Sequence, residues 1–147
     1  MNNLLRKWFS YLFGLIFCPV KYLVPKGRVV ILHSYNPYVY RDNTRYLFEY
    51  LLNVKNLSVY WYTECDLIKR YIDRIGGQYI SKSSPLHLIW IALRARVVID
   101  SGDSYYNLFN ILNNKKTIKI TTLHGSGPKA TFLRGDDIKV VVNQISR

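Results

Sequence analysis

Acidic residues are scarce in this chain: nine Asp and Glu stand against 21 Lys and Arg, a formal charge of +12 over 147 residues. A surface so unbalanced attracts anions, whether phosphates, anionic lipid headgroups or nucleic acid. The bases are scattered, from Arg6 and Lys7 through Lys69 and Arg70 to Lys115 and Lys116. No RNA-binding signature, zinc-finger spacing or single basic helix gathers them, so nucleic acid is not the expected partner. Cysteine is nearly missing too. Cys18 and Cys65 form no metal motif, redox pair or disulfide framework, and a reducing compartment suits them best. There is no internal repeat, low-complexity tract or linker, and no run of about 20 apolar residues of the kind that spans a bilayer.

What remains is ordinary material for a packed body: 49% hydrophobic and 15% aromatic residues, with 13 tyrosines. That composition excludes disorder. A chain of this length builds one domain with a proper core, and a second full domain does not fit.

The longest apolar stretch is "WFSYLFGLIFCPV" (8–20), flanked by Arg6 and Lys7 before it and Lys21 and Lys26 after it. It ends at Pro19, too short to span comfortably, and no convincing signal-peptide cleavage site follows it. An interfacial helix explains both features, with Trp8, Phe9, Tyr11, Leu12 and Phe13 in the headgroup boundary and the cations on acidic lipid. A hydrophobic helix packed on the rest of the protein is the competing reading. The expectation is a membrane-associating segment over 1–27, peripheral on an anionic membrane surface at the cytoplasmic face, followed by a domain over 28–147.

From Arg28 onward, strand and helix patterns alternate, which predicts an α/β domain with a mostly parallel, Rossmann-like sheet flanked by helices. "RVVILHS" (28–34) reads as a strand buried on both faces. "RDNTRYLFEYLLN" reads as a helix with Asp42 or Asn43 as N-cap, an Arg45–Glu49 pair, and Tyr46, Leu47, Tyr50 and Leu51 on one face. "LSVYWYT" (57–63) is a strand. "ECDLIKRYIDRI" is a helix with a capping-box-like start at Thr63–Asp66 and a stop at Gly76 and Gly77. "QYIS" is a short strand, and Ser84-Pro85 opens the helix "LHLIWIALRA". "RVVIDS" (96–101) and "TIKITT" are strands around a helix "YYNLFNILNN" that Asp103 or Ser104 can cap. "IKVVV" (138–142) is a candidate last strand.

Ligands of open parallel sheets bind beyond the carboxyl ends of the strands. Three strands here end in polar groups that should share one edge: His33 and Ser34, Asp100 with Ser101 and Gly102, and His124 with Gly125. His87, inside "PLHLIWIAL", reads as a helix histidine at the edge of the core. His33 reads equally well as a satisfied polar group. His124 sits where a strand breaks into "LHGSGPK" (123–129). Gly125 and Gly127 let backbone approach a ligand, Ser126 adds a hydroxyl, Lys129 can meet a phosphate, and a neutral imidazole can accept a proton. A tight turn with Lys129 in solvent fits the same spacing. "GSGPKAT" is not a P-loop, because the four-residue gap between glycines and the Gly-Lys-Ser/Thr ending are absent.

Together, "DNTRYLFEYL", "ARVVIDS" and "LHGSGPK" resemble segments in the amino-terminal half of the CDP-glycerol glycerophosphotransferase family, the polymerases and primases of teichoic acid synthesis. The likeness covers roughly residues 28–137. Asp42, Asn43 and Arg45 match the family's Asp/Gly-Asn-Pro-Lys/Arg segment, with Thr44 in the proline place. His124, Gly125 and Lys129 match its Trp-His-Gly-Thr segment and following lysine, with Leu123 for tryptophan and Ser126 for threonine. The resemblance implies the amino-terminal domain of a B-type glycosyltransferase. His124 would be the catalytic base, with Asp42, Asn43, Gly125, Ser126 and Lys129 binding substrate. CDP-glycerol and a polyol-phosphate or lipid-linked acceptor would be the partners, with no cofactor or metal. Two Rossmann-like halves need about twice this length. The chain alone is therefore expected to lack transferase activity, as a fragment, truncated gene product or separately encoded half that needs a carboxyl-terminal partner to act. The alternative is a non-catalytic membrane-surface module that binds phosphate-rich polymer or a partner subunit.

Overall fold

A computed structural model describes residues 19–102 and 107–122. Five strands form one sheet: β1 (Val29–His33), β2 (Ser58–Tyr62), β3 (Gln78–Ile80), β4 (Ala95–Asp100) and β5 (Ile118–Thr121). Helices connect successive strands: α1 (Asp42–Leu51), α2 (Asp66–Arg74), α3 (Pro85–Arg94) and α4 (Asn107–Leu112). Every pairing is parallel, in the order β3-β2-β1-β4-β5. The domain is thus the Rossmann-like α/β sheet that the alternating pattern predicts.

That order follows from two runs of crossovers that start on either side of β1. The chain steps outward from β1 to β2 and β3, then returns to lay β4 against the free side of β1. Since βαβ crossovers keep one hand, reversing direction moves the helices to the other face. α1 and α2 accordingly cover Val30, Leu32, Val59, Trp61, Val97 and Ile99. α3 and α4 cover Val29, Ile31, Tyr62, Ala95 and Val98. Residues of β1 alternate between the two cores, so all five are buried, which is why its sequence runs apolar without a polar position until His33.

The pairing of β1 with β4 contains one irregularity. Val29 pairs with Ala95, but Val30 pairs with Val97, so β4 carries an extra residue at Arg96.

Three local expectations differ from the structure. Arg41, not Asp42 or Asn43, occupies the N-cap of α1, and no side chain caps it. The buried face of α1 is Thr44, Phe48 and Leu51, while Tyr46 and Tyr50 are exposed because a phenol hydroxyl favours water. The capping box at α2 does not form. Thr63 Oγ1 donates to the Pro37 carbonyl at 2.7 Å and accepts from the Cys65 N–H at 3.1 Å, stitching the loop after β1 to the end of β2. Gly76, at φ +74°, closes α2 in the left-handed region, and the Gly77 N–H returns to the Ile72 carbonyl.

Residues 19–23 are helical. Val24 packs on the core under α3, and Gly27 N–H donates to the Arg94 carbonyl at 2.9 Å. Lys26 Nζ reaches the Leu93 carbonyl at 2.8 Å, and burial lowers its pKa to about 8. None of the described helices is long and apolar enough to cross a membrane. Trp8 to Cys18, and the candidate strand 138–142, lie outside the described residues.

Candidate functional site

Strand order reverses between β1 and β4, so the loops leaving their carboxyl ends diverge at the kind of switch point where open α/β sheets form a ligand crevice. His33 and Asp100 are the last residues of these two strands and pair directly. Parallel partners share a face, so both side chains point to the α3/α4 side.

His33 is held by packing on two sides. Its ring stacks on Phe109 at 5.3 Å between centroids and meets the edge of Tyr62 at 6.4 Å. Nδ1 donates to the Ser34 carbonyl at 3.1 Å, since a carbonyl can only accept. That bond fixes the tautomer and leaves Nε2 as the acceptor nitrogen. Burial disfavours the charged ring and lowers its pKa below the ordinary 6.5, against the smaller raising effects of the Ser34 bond and the Asp100 charge. His33 is therefore a neutral imidazole at pH 7 beside a carboxylate.

One residue further, Ser34 and Ser101 bring their hydroxyls within 3.3 Å of each other, both buried. Ser101 Oγ also accepts the Tyr35 N–H at 3.1 Å, so this serine ties the two diverging loops together. Gly102 follows at φ +156°, and its N–H donates to Asp100 Oδ1 at 3.3 Å. A side chain at that φ would be strained, which accounts for glycine where the loop turns out of β4. On the outer lip, Arg41 covers the Tyr35 ring at 5.4 Å and donates to its hydroxyl at 2.6 Å. β5 joins the edge through Thr122, whose N–H and Oγ1 both donate to the Asp100 carbonyl, at 2.7 and 2.8 Å.

Asp42 and Asn43 begin α1 on this same edge. Asp42 sits in the left-handed region at φ +72°, a conformation that aspartate tolerates better than most residues, and its carboxylate lies 3.4 Å from Arg41 Nε. Asn43 is exposed. His124, Gly125, Ser126 and Lys129 lie outside the described residues, and the described part of the chain ends two residues before His124.

Sequence reasoning names the His33–Ser34 and Asp100–Gly102 strand ends and expects them on one edge, where they are found. It misses Tyr35 and Arg41, which nothing in their spacing marks. Among the described residues, no cluster of three His, Cys, Asp or Glu could hold a metal ion. Cys65 is a free, half-exposed thiol at the N-cap of α2, and His87 is exposed with its ring against Tyr60.

His33, Ser34 and Ser101 are buried at this edge of the sheet, with Arg41 exposed beside them. No family model, curated protein or solved structure matches this chain.

Proposed function

We propose that this domain is the acceptor-side half of a CDP-glycerol glycerophosphotransferase, acting in the synthesis of teichoic acid or a related cell-surface polymer. The observation that supports this best is the polar crevice between β1 and β4, flanked by the start of α1 at Asp42 and Asn43. A polyol-phosphate chain offers hydroxyls and anionic phosphates in alternation. Ser34, Ser101 and the amides of the two loops suit the hydroxyls, and Arg41 at the lip suits a phosphate.

In this reading, His124 is the general base at the end of β5's loop. It takes the proton of the acceptor's terminal hydroxyl as that oxygen attacks the β-phosphate of CDP-glycerol. The bond from that phosphorus to the bridging oxygen breaks and CMP leaves. The donor is held by a second α/β unit, as the B-type architecture requires. The residues over 8–20 attach the protein to acidic lipid from the cytoplasmic side.

A short glycerol-phosphate oligomer titrated into the isotopically labelled protein tests the acceptor assignment. Shifts of the Ser34, Tyr35, Ser101 and Gly102 amides are expected, weakened by Arg41→Gln. An unperturbed crevice overturns the assignment. Binding that persists while His124→Ala leaves glycerol-phosphate transfer unchanged, in a preparation containing the donor unit, overturns the catalytic role and favours a non-catalytic polymer-binding module.

A further inference from the structure

Negative charge is distributed very unevenly over the sheet. The nine acidic residues are Asp42, Glu49, Glu64, Asp66, Asp73, Asp100, Asp103, Asp136 and Asp137, so none falls in 1–41 or 74–99. The second gap contains the whole of α3, and the first contains the strap 19–27 that packs beside it. α1 and α2, by contrast, carry Asp42, Glu49, Asp66 and Asp73 among their own cations.

The outer surface of α3 and the strap, which carry no acidic residue of their own, also exposes large apolar groups. Leu86 is 82% and Trp90 50% exposed, one turn apart on α3, and the Arg94 guanidinium one further turn along covers the Trp90 ring at 5.4 Å. On the strap, Tyr22 and Leu23 are exposed next to Lys21. Lys115 and Lys116 are exposed in the turn after α4, the other helix of this face. Aromatic and aliphatic tips interleaved with cations, with no carboxylate of the described residues on these two segments, are the chemistry of a headgroup boundary rather than of a protein partner. Tyr46, Tyr50 and Leu67 on the opposite face are also exposed, but their helices carry Glu49, Asp66 and Asp73.

We infer that the outer face of α3, with Leu86 and Trp90 at its centre, docks on an anionic lipid bilayer. The folded domain thereby contributes its own contact, separate from the apolar segment over 8–20. This inference stands whether or not the transferase reading does. α3 begins at the edge of the sheet where the crevice opens, so docking there holds the crevice alongside the membrane.

Trp90 is its own reporter. The chain has three tryptophans, Trp8, Trp61 and Trp90, and Trp61 is fully buried. In full-length Trp8→Phe protein, Trp90 emission is therefore expected to shift blue and to be quenched by brominated lipid in vesicles containing phosphatidylglycerol. The signal should vanish in Trp8→Phe/Trp90→Phe protein, and partitioning should weaken about five-fold for each of Lys115→Gln and Lys116→Gln. Vesicle binding without quenching of Trp90 would mean that 8–20 binds alone and would overturn the inference. Equal quenching in pure phosphatidylcholine overturns the anionic part of it. A blue shift that grows with protein concentration in the absence of lipid identifies a second copy as the occupant instead, and equally overturns it.

Discussion

The helices α1 and α2 on one face of the sheet, and α3 and α4 on the other, bury aliphatic ladders from the same strands, yet they treat polar groups in opposite ways. Under α1 and α2 the interior is apolar except for the Thr44 hydroxyl and for Trp61 Nε1, which has no hydrogen-bond partner among the described residues. Polar groups on that side gather at the rim, where Glu49 Oε1 accepts from Arg45, Tyr40 and Tyr71 at 3.0, 3.1 and 3.2 Å. Desolvation pushes the Glu49 carboxyl up, but the hydrogen bonds from Arg45 and Tyr40 outweigh it and hold the group lowered, and burial beside that carboxylate raises the Tyr40 phenol. Under α3 and α4 the polar groups go inside, as His33 against Phe109 and Tyr62, paired with Asp100 at the crevice. One face is built for stability and closes its charges against each other. The other keeps His33 and Asp100 together at the carboxyl edge of the sheet.

Substitutions on each side should expose that division. The largest effect belongs to Trp61→Ala, which empties the apolar core and should cost about 3–5 kcal/mol in urea unfolding. Trp61→Phe should cost well under half of that, because it also removes a buried N–H with no partner among the described residues. Ser101→Ala comes next. It strips the Tyr35 N–H of its acceptor and should cost about 1–3 kcal/mol, while weakening binding of a polyol-phosphate probe, measured by calorimetry.

A pH series sharpens the contrast further. Burial lowers the folded pKa of His33 below its unfolded value of 6.5, so the unfolded chain binds the proton more readily. The associated stability is present above about pH 6.5 and is lost as pH falls from there toward the lowered folded value. Melting temperatures should show this acid-side fall in the native protein and a shallower one in His33→Gln. The smallest effect is expected at the opposite rim. Glu49→Gln should cost less than about 1 kcal/mol and less still in high salt, since the Arg45–Glu49 pair is about one-third exposed on both sides.

Much of this fold is readable from the sequence because each strand signals its own burial. Continuous runs such as "VVIL" mark a central parallel strand, and Gly76-Gly77 and Ser84-Pro85 mark a helix end and a helix start. The face of α1 is harder to read. Tyrosine counts as apolar in a periodicity, and its hydroxyl keeps Tyr46 and Tyr50 in water while Thr44 goes inside. Of the candidate site, the strand ends are legible as polar residues that close apolar runs. Their partners are not, since Tyr35 meets Ser101 across 66 positions of sequence through a reversal in strand order. His124, Gly125, Ser126 and Lys129, the residues that carry the proposed chemistry, lie beyond the described part of β5's loop.

The extra residue at Arg96 acts at a distance from the crevice. In a strand, side chains alternate sides, so what matters is whether the count of residues along β4 is odd or even relative to β1. Were Arg96 paired in the ladder opposite Val30, His33 would fall opposite Ile99, and Asp100 opposite Ser34 on the other side of the sheet. With Arg96 bulged out, His33 meets Asp100. The chemistry at the strand ends is therefore set by parity four pairs upstream. Deleting Arg96 would straighten β4 and leave His33 opposite Asp100; the strand ends change partners only if Arg96 is drawn into the ladder.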